Sequence, residues 1–215
     1  VTTLTLASIG GTASFGANTD VTTFAVDNTV ANVAFTGNGS SVVNAISFAN
    51  DGTLQLGNND GDTLTFNGGL TTTSVGGTVT LQGTIATSND AVVLGAVTLG
   101  SATTVDTNAS SNAGDITIAA ITGGSNNLTL STGDNISGAD ITASGAISGL
   151  GNLTLADVGG TATFSANVAA AALSAANTVA NITFTGSTNT FSAASTLAND
   201  GTLTFGDATG DSFTF

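Results

Sequence analysis

Apolar residues recur at alternate positions in short bursts along the whole chain: Leu4/Leu6, Val33/Phe35, Leu54/Leu56, Leu64/Phe66, Val79/Leu81, Val97/Leu99, Ile116/Ile118, Leu128/Leu130, Leu153/Leu155, Ile182/Phe184, Leu203/Phe205 and Phe213/Phe215. In ten of these twelve triads the middle residue is Thr. One face is then apolar and the other carries a β-branched polar side chain, the pattern of a half-buried strand. Clusters such as Gly57-Asn58-Asn59-Asp60-Gly61-Asp62 and Thr122-Gly123-Gly124-Ser125-Asn126-Asn127 separate the triads. Such residues supply the positive φ and side-chain-to-backbone hydrogen bonds of tight turns, so they predict corners.

A block of 63 residues occurs twice, at 4–66 and 153–215, aligned without a gap at an offset of 149 with 31 identities. Gly10-Gly11-Thr12-Ala13 answers Gly159-Gly160-Thr161-Ala162, and Asn50-Asp51-Gly52-Thr53-Leu54 answers Asn199-Asp200-Gly201-Thr202-Leu203. Internal repetition of this kind marks a repeat architecture. The one helix-compatible stretch is the Ala-rich run 168–176, but its counterpart 19–27 is rich in Val, Thr and Phe, so a strand is expected in both. A third Gly-Gly-Thr corner at Gly76-Gly77-Thr78 makes 67–152 a more diverged stretch of the same winding, and 1–215 one continuous segment.

Comparable triads are spaced by 18 (Val79 to Val97), 19 (Val97 to Ile116), 21 (Val33 to Leu54 and Ile182 to Leu203) and 25 residues (Leu128 to Leu153). These lengths fit coils of 18–25 residues holding two or three short strands each. The expected fold is all-β, a parallel β-helix or β-solenoid. Nine to twelve coils stacked at about 4.8 Å give a rod of about 45–55 Å. All eleven Phe lie within the two copies, and several exchange with aliphatics between them: Phe24 with Leu173, Phe48 with Leu197, Leu56 with Phe205, Val42 with Phe191. Such exchanges keep a position buried while changing its volume, as in a core built from inward stacks.

Only eleven residue types are used, and His, Cys, Lys, Arg, Glu, Tyr, Trp, Met and Pro are absent. Imidazole bases, thiols, amines and guanidinium groups carry most acid–base and covalent catalysis, so the chain is not expected to be an enzyme or to need a cofactor. Zinc sites of the Cys/His kind are excluded. The net charge of −14 comes entirely from Asp, with no cationic side chain to oppose it. Nucleic acid and anionic membrane surfaces are therefore poor partners. An apolar content of 40% separates the chain from acidic disordered segments. No stretch reaches the roughly 18 apolar residues of a membrane helix. The chain opens at Val1 on strand-like sequence without a signal peptide and reads as a mature segment of something longer.

The runs Gly124-Ser125-Asn126-Asn127-Leu128-Thr129-Leu130-Ser131-Thr132-Gly133-Asp134-Asn135-Ile136 and Ile141-Thr142-Ala143-Ser144-Gly145-Ala146-Ile147-Ser148-Gly149-Leu150-Gly151-Asn152-Leu153-Thr154-Leu155 resemble the β-helical regions of large bacterial exoproteins, the filamentous-haemagglutinin-type adhesins and autotransporter passenger domains. The resemblance is one of style over the whole chain. It implies a right-handed parallel β-helix, secretion through an outer-membrane barrel, an extracellular or bacterial cell-surface location, and work in adhesion or biofilm. The chain carries no secretion-signal region, membrane barrel or Arg-containing attachment tripeptide.

Four Asp define the candidate metal chemistry. The turns holding Asp60 and Asp62, and Asp207 and Asp211, loosely resemble calcium-binding Gly/Asp nonapeptides, in which carboxylates and carbonyls surround Ca²⁺. Such arrays run in tandem, whereas these turns are 149 residues apart and Asp60 is answered by Thr209; solvated turn-forming Asp is the simpler reading. Thr-x-Thr pairs at Thr3/Thr5, Thr63/Thr65, Thr78/Thr80 and Thr202/Thr204 suggest an ice-binding face, interrupted at Asp115 and Asn127. Asp clusters of a polysaccharide-cleaving β-helix would lack the basic or aromatic residues that hold a sugar. Six Asn-x-Ser/Thr sequons, at Asn38, Asn108, Asn127, Asn135, Asn152 and Asn181, match the number that composition gives by chance.

The function expected from these residues is that of a secreted structural or adhesive β-solenoid. Its partner is a second copy, end to end or side by side, or a host or matrix surface receptor. The alternatives are a self-assembling filament, tandem β-sandwich adhesin modules, and an ice- or calcium-binding rod.

Overall fold

The computed structural model describes residues 1–108, 110–111, 114–133 and 136–215. The sequon at Asn135, and Asp134 and Asn135 of the first exoprotein-like run, lie outside the described residues. No helix occurs among the described residues, and every strand pairing among them is parallel. Sandwich modules require antiparallel pairing, so the tandem-sandwich alternative is overturned. The chain winds into a β-solenoid of about ten turns, each presenting three strand faces in the order I, II, III.

Each face has an inward stack of side chains, joined by strand pairing throughout except between Phe24 and Ile46 on face I. Face I stacks Leu4, Phe24, Ile46, Leu70, Val92, Ile116, Ile141, Ala162, Ile182 and Leu203. An Asn44 N–H donating to Thr22 O links the second and third of these turns. Face II stacks Ala13, Val33, Leu54, Val79, Val97, Ile121, Ile147, Val168, Asn189 and Phe213. Face III runs through Leu64, Ile85, Val105, Leu130, Leu155, Ala175 and Leu197. The period-two pattern explains this shape: no single strand can bury its apolar side alone, and three of them turned inward enclose one core. Ten turns at the parallel-strand spacing make a rod of about 48 Å.

The run at 168–176 is a strand, Val168–Ala175, as its counterpart implied. The spacing of 19 between Val97 and Ile116 is not a coil. Val97 stacks on Ile121 of face II, and Ile116 on Val92 of face I, so the two triads belong to different faces.

The repeat is out of phase with the winding. Leu4 lies on face I of the first turn and Leu153 on face III of the seventh, which is six full turns along face I from Leu4 to Ile141 plus two further faces. One 149-residue period therefore spans 6⅔ turns, and each element of the first copy reappears one face displaced. Its local structure survives the move. The ladder shift after Ile9 on face II, where Ile9 pairs with Val30 and Thr12 with Asn32, recurs after Val158 on face I, where Val158 pairs with Val179 and Thr161 with Asn181. Buried Ser40 donates to Gly37 O at 2.6 Å and accepts the Thr19 N–H at 2.9 Å; its counterpart Asn189 donates to Gly186 O at 2.7 Å and accepts the Val168 N–H at 2.9 Å. A polar residue can thus replace an apolar rung, because both its hydrogen-bonding ends are satisfied.

The aromatic residues form two groups along the axis. Phe15, Phe24, Phe35, Phe48 and Phe66 pack with centroids 5.4–6.3 Å apart. Phe164, Phe184, Phe191, Phe205, Phe213 and Phe215 form the second group, with Phe164 and Phe184 stacked at 4.8 Å.

Candidate functional site

Asx side chains bind successive coils together at the corners. Asn32 Oδ1 accepts the Thr53 N–H at 2.8 Å and its hydroxyl at 2.9 Å, and Asn181 Oδ1 does the same for Thr202 at 3.0 and 2.7 Å. Asn127 receives the Asn152 N–H, Asn167 the Thr188 N–H, Asp115 the Asp140 N–H, and Asp140 the Thr161 N–H. Each of these residues directly precedes an inward apolar residue of a strand, as in Asn32-Val33, Asp115-Ile116 and Asn181-Ile182. Within a turn, Asn50 and Asn199 each donate to the carbonyls of the Gly and Thr that follow them.

The four calcium candidates fall into two equivalent turns. Asp62 is buried; its Oδ2 accepts the N–H groups of Asn58 at 2.7 Å and Asn59 at 3.2 Å, and its Oδ1 accepts the Asn59 side-chain amide at 3.1 Å. Asp211 Oδ2 accepts the N–H groups of Asp207 at 2.9 Å and Ala208 at 3.0 Å. Asp60 and Asp207 are exposed. Among the described residues no three acidic side chains gather where a metal ion could sit. The Asp62 and Asp211 carboxylates face N–H donors, which present positive charge to them just as a cation would.

Asp27 closes a similar turn at the corner between faces I and II. Its Oδ1 accepts the Thr29 hydroxyl at 2.5 Å and the Thr29 N–H at 2.9 Å, while Thr29 Oγ1 receives the Ser8 N–H of the previous turn at 2.7 Å. The Thr29 hydroxyl, and then its amide, hold the Asp27 carboxyl below its ordinary range, against a small opposing effect of burial. Because the folded value is depressed, the stabilisation is present above the unfolded value of about 3.9 and is lost as pH falls through the folded one. A carboxyl ¹³C NMR titration is expected to place Asp27 below that value, and Thr29→Val to move it back up. No change in the variant would refute the assignment.

The exterior rows are mostly Thr. On face III, Thr63, Thr84, Thr104, Thr129 and Thr154 stand in register on five consecutive turns, followed by Ser174 and Thr196. On face I, Thr117, Thr142, Thr163, Thr183 and Thr204 do the same. The four Thr-x-Thr pairs do not form one array. Thr3/Thr5 and Thr202/Thr204 are on face I at opposite ends, Thr63/Thr65 on face III and Thr78/Thr80 on face II.

Face II differs from the other two in charge. Its strand segments, at 12–15, 32–35, 53–56, 78–81, 96–99, 120–123, 146–150, 167–170, 188–191 and 212–215, contain no Asp. Face III carries Asp20 and Asp106, and face I has Asp115 and Asp140 at its leading edge.

No family model, curated protein or solved structure matches the chain. Its winding and its repeat define a β-solenoid repeat protein, a fold consistent with a structural role.

Proposed function

We propose that this chain is a segment of a long secreted or cell-surface β-solenoid whose work is mechanical and adhesive rather than catalytic. The observation that carries the reading is the division of labour across the winding. Three inward ladders hold a single core, and the outside offers hydroxyls, amides, methyls and carboxylates with no imidazole, thiol, amine or guanidinium among them. In a solenoid each coil touches only its neighbours, so such a rod can be lengthened without redesign and serves as a spacer or a contact surface. Partners are a second copy of the chain or an uncharged matrix or host surface, since polyanions are repelled by a chain of net charge −14. Ca²⁺ is not required in this reading, because backbone and side-chain amides already occupy the Asp62 carboxylate and backbone amides that of Asp211.

The test is immunolabelling of intact source cells, combined with electron microscopy of the purified chain with and without EDTA. The expected result is label on unpermeabilised cells, uniform rods with an axial repeat of about 4.8 Å, and a melting temperature that chelation moves by a few degrees at most. Label that appears only after permeabilisation would remove the extracellular assignment. Collapse of the rod in EDTA would make calcium structural.

A further inference from the structure

We propose that face II is the surface through which two copies of this chain pack side by side. The proposal deepens the rod reading above and rests on it. Its starting point is the distribution of charge: the thirteen Asp among the described residues lie on faces I and III, at their edges or at corners, and none on the strand segments of face II.

The phase of the repeat makes this distribution informative. The displacement by one face carries each face III position of the first copy onto face II in the second. Asp20, on face III and paired in register with Ser41, would therefore bring its carboxylate onto face II at position 169. That position is Ala169, which pairs with Thr190 on face II. One position of the neighbouring rim changes the same way. Asp60, at the corner after face II, is answered at the corner before face II by Thr209. At the one strand position where the repeat would have charged the face itself the residue is uncharged, whereas Asp51 and Asp62 keep Asp at 200 and 211, the latter at the corner before face II.

Two rods of net charge −14 can approach closely only along a side that buries no carboxylate. Face II fits a second copy in three further respects. Its outward side chains are mainly Thr, Ser, Ala and Asn, with Gln55 the longest, so two sheets can come near the usual separation of about 10 Å. Both copies share one strand spacing, so their rows stay in step along the whole rod, as they do between paired sheets of identical chains. Ten strands about four residues wide offer roughly 600 Å² per copy, or about 1,200 Å² in the pair, the lower end of specific interfaces. A two-fold axis satisfies the self-complementarity such a pair needs. Asp27, Asp51 and Asp211 on one side and Asp60 on the other border the face, so pairing is expected to tighten as salt shortens the reach of their repulsion from about 30 Å at 0.01 M to about 3 Å at 1 M.

The experiment is sedimentation velocity of the full chain in low and high NaCl, with variants at mid-rod, where either rod orientation brings the substitutions opposite one another. Thr98 and Thr122 are neighbours on face II at turns five and six, and Thr104 and Thr129 are neighbours on face III. The wild type is expected to self-associate in high salt. Thr98→Asp/Thr122→Asp is expected to weaken this about tenfold or more, while Thr104→Asp/Thr129→Asp leaves it unchanged. Mixing the face II Asp variant with Thr98→Lys/Thr122→Lys is expected to restore pairing, which a merely misfolded variant would not do. A wild type that stays monomeric at every salt concentration, association that survives the face II charges, or equal loss in the face III control would each overturn the proposal. Single rods without lateral pairs would refute the pairing alone, whereas absence of rods would refute the reading beneath it.

Discussion

Phe184→Ala is expected to lower the stability of the coils around it by about 3–5 kcal/mol, the usual cost of emptying a large aromatic site in a close-packed core. Phe184 is fully buried on face I, stacked at 4.8 Å on Phe164 in the turn before and at 5.8 Å on Phe205 in the turn after, with Phe191 edge-on at 6.0 Å. Phe164 cannot move into the space, because it is itself pinned by a parallel ladder above and below. Its repeat counterpart Phe35 is equally buried on face II, against Phe15 and Phe24 at 5.5 and 5.4 Å. Phe35→Ala is expected to cost a similar amount at the other end of the rod. Solenoids lose cooperativity over distance, so amide hydrogen exchange is the discriminating measurement. Phe184→Ala should raise exchange in the last three turns and Phe35→Ala in the first four. A loss below about 1 kcal/mol, or exchange spread evenly over the chain, would contradict the stacked core.

The second large effect contrasts two glycines that the sequence makes identical. A Cβ on Gly159 would lie 2.4 Å from Ile136 O, and one on Gly160 would lie 2.1 Å from Asp140 Oδ1, both on the coil below. At Gly10 and Gly11 a Cβ meets nothing within 4 Å. Neither glycine of either pair has a positive φ, so the obstacle is the neighbouring coil and not backbone strain. Gly159→Ala must push two coils apart along the axis. It is expected to destabilise by about 1–3 kcal/mol or more, as overpacking does, whereas Gly10→Ala in this chain is expected to be neutral or to gain about 0.5–1 kcal/mol by restricting the unfolded chain. Chemical denaturation of the two single variants decides it. Equal effects would mean that the coils do not stack as described.

The strands and their inward residues are legible in the alternation of Val33/Phe35, Leu128/Leu130 or Ile182/Phe184, because burial on one side of a strand imposes period two whatever the strand packs against. The same alternation says nothing about which face a strand occupies. Val97 and Ile116 look like successive coils by spacing, yet they belong to different faces, because corner lengths vary and only the ladder fixes the turn. The one-face displacement of the repeat was hidden for the same reason. Among the candidate site residues, Asp62 and Asp211 could be read as turn Asp, but their capture of amides three and four residues back depends on local backbone geometry. The inter-coil Asn residues had a visible signal. Asn32, Asn127, Asn167 and Asn181 sit directly before an inward apolar residue, as do Asp115 and Asp140.

The 6⅔-turn period also has a geometric consequence for presentation. Three periods of 149 residues, 447 in all, take 20 turns, so a winding that carried the motif through three copies would set it at thirds of a circle before returning to the same azimuth. At about 4.8 Å per turn, successive motifs would climb roughly 32 Å apiece on a threefold screw. A receptor recognising one such motif would then find it from any direction of approach, and pulling on several at once would load the shaft symmetrically instead of bending it.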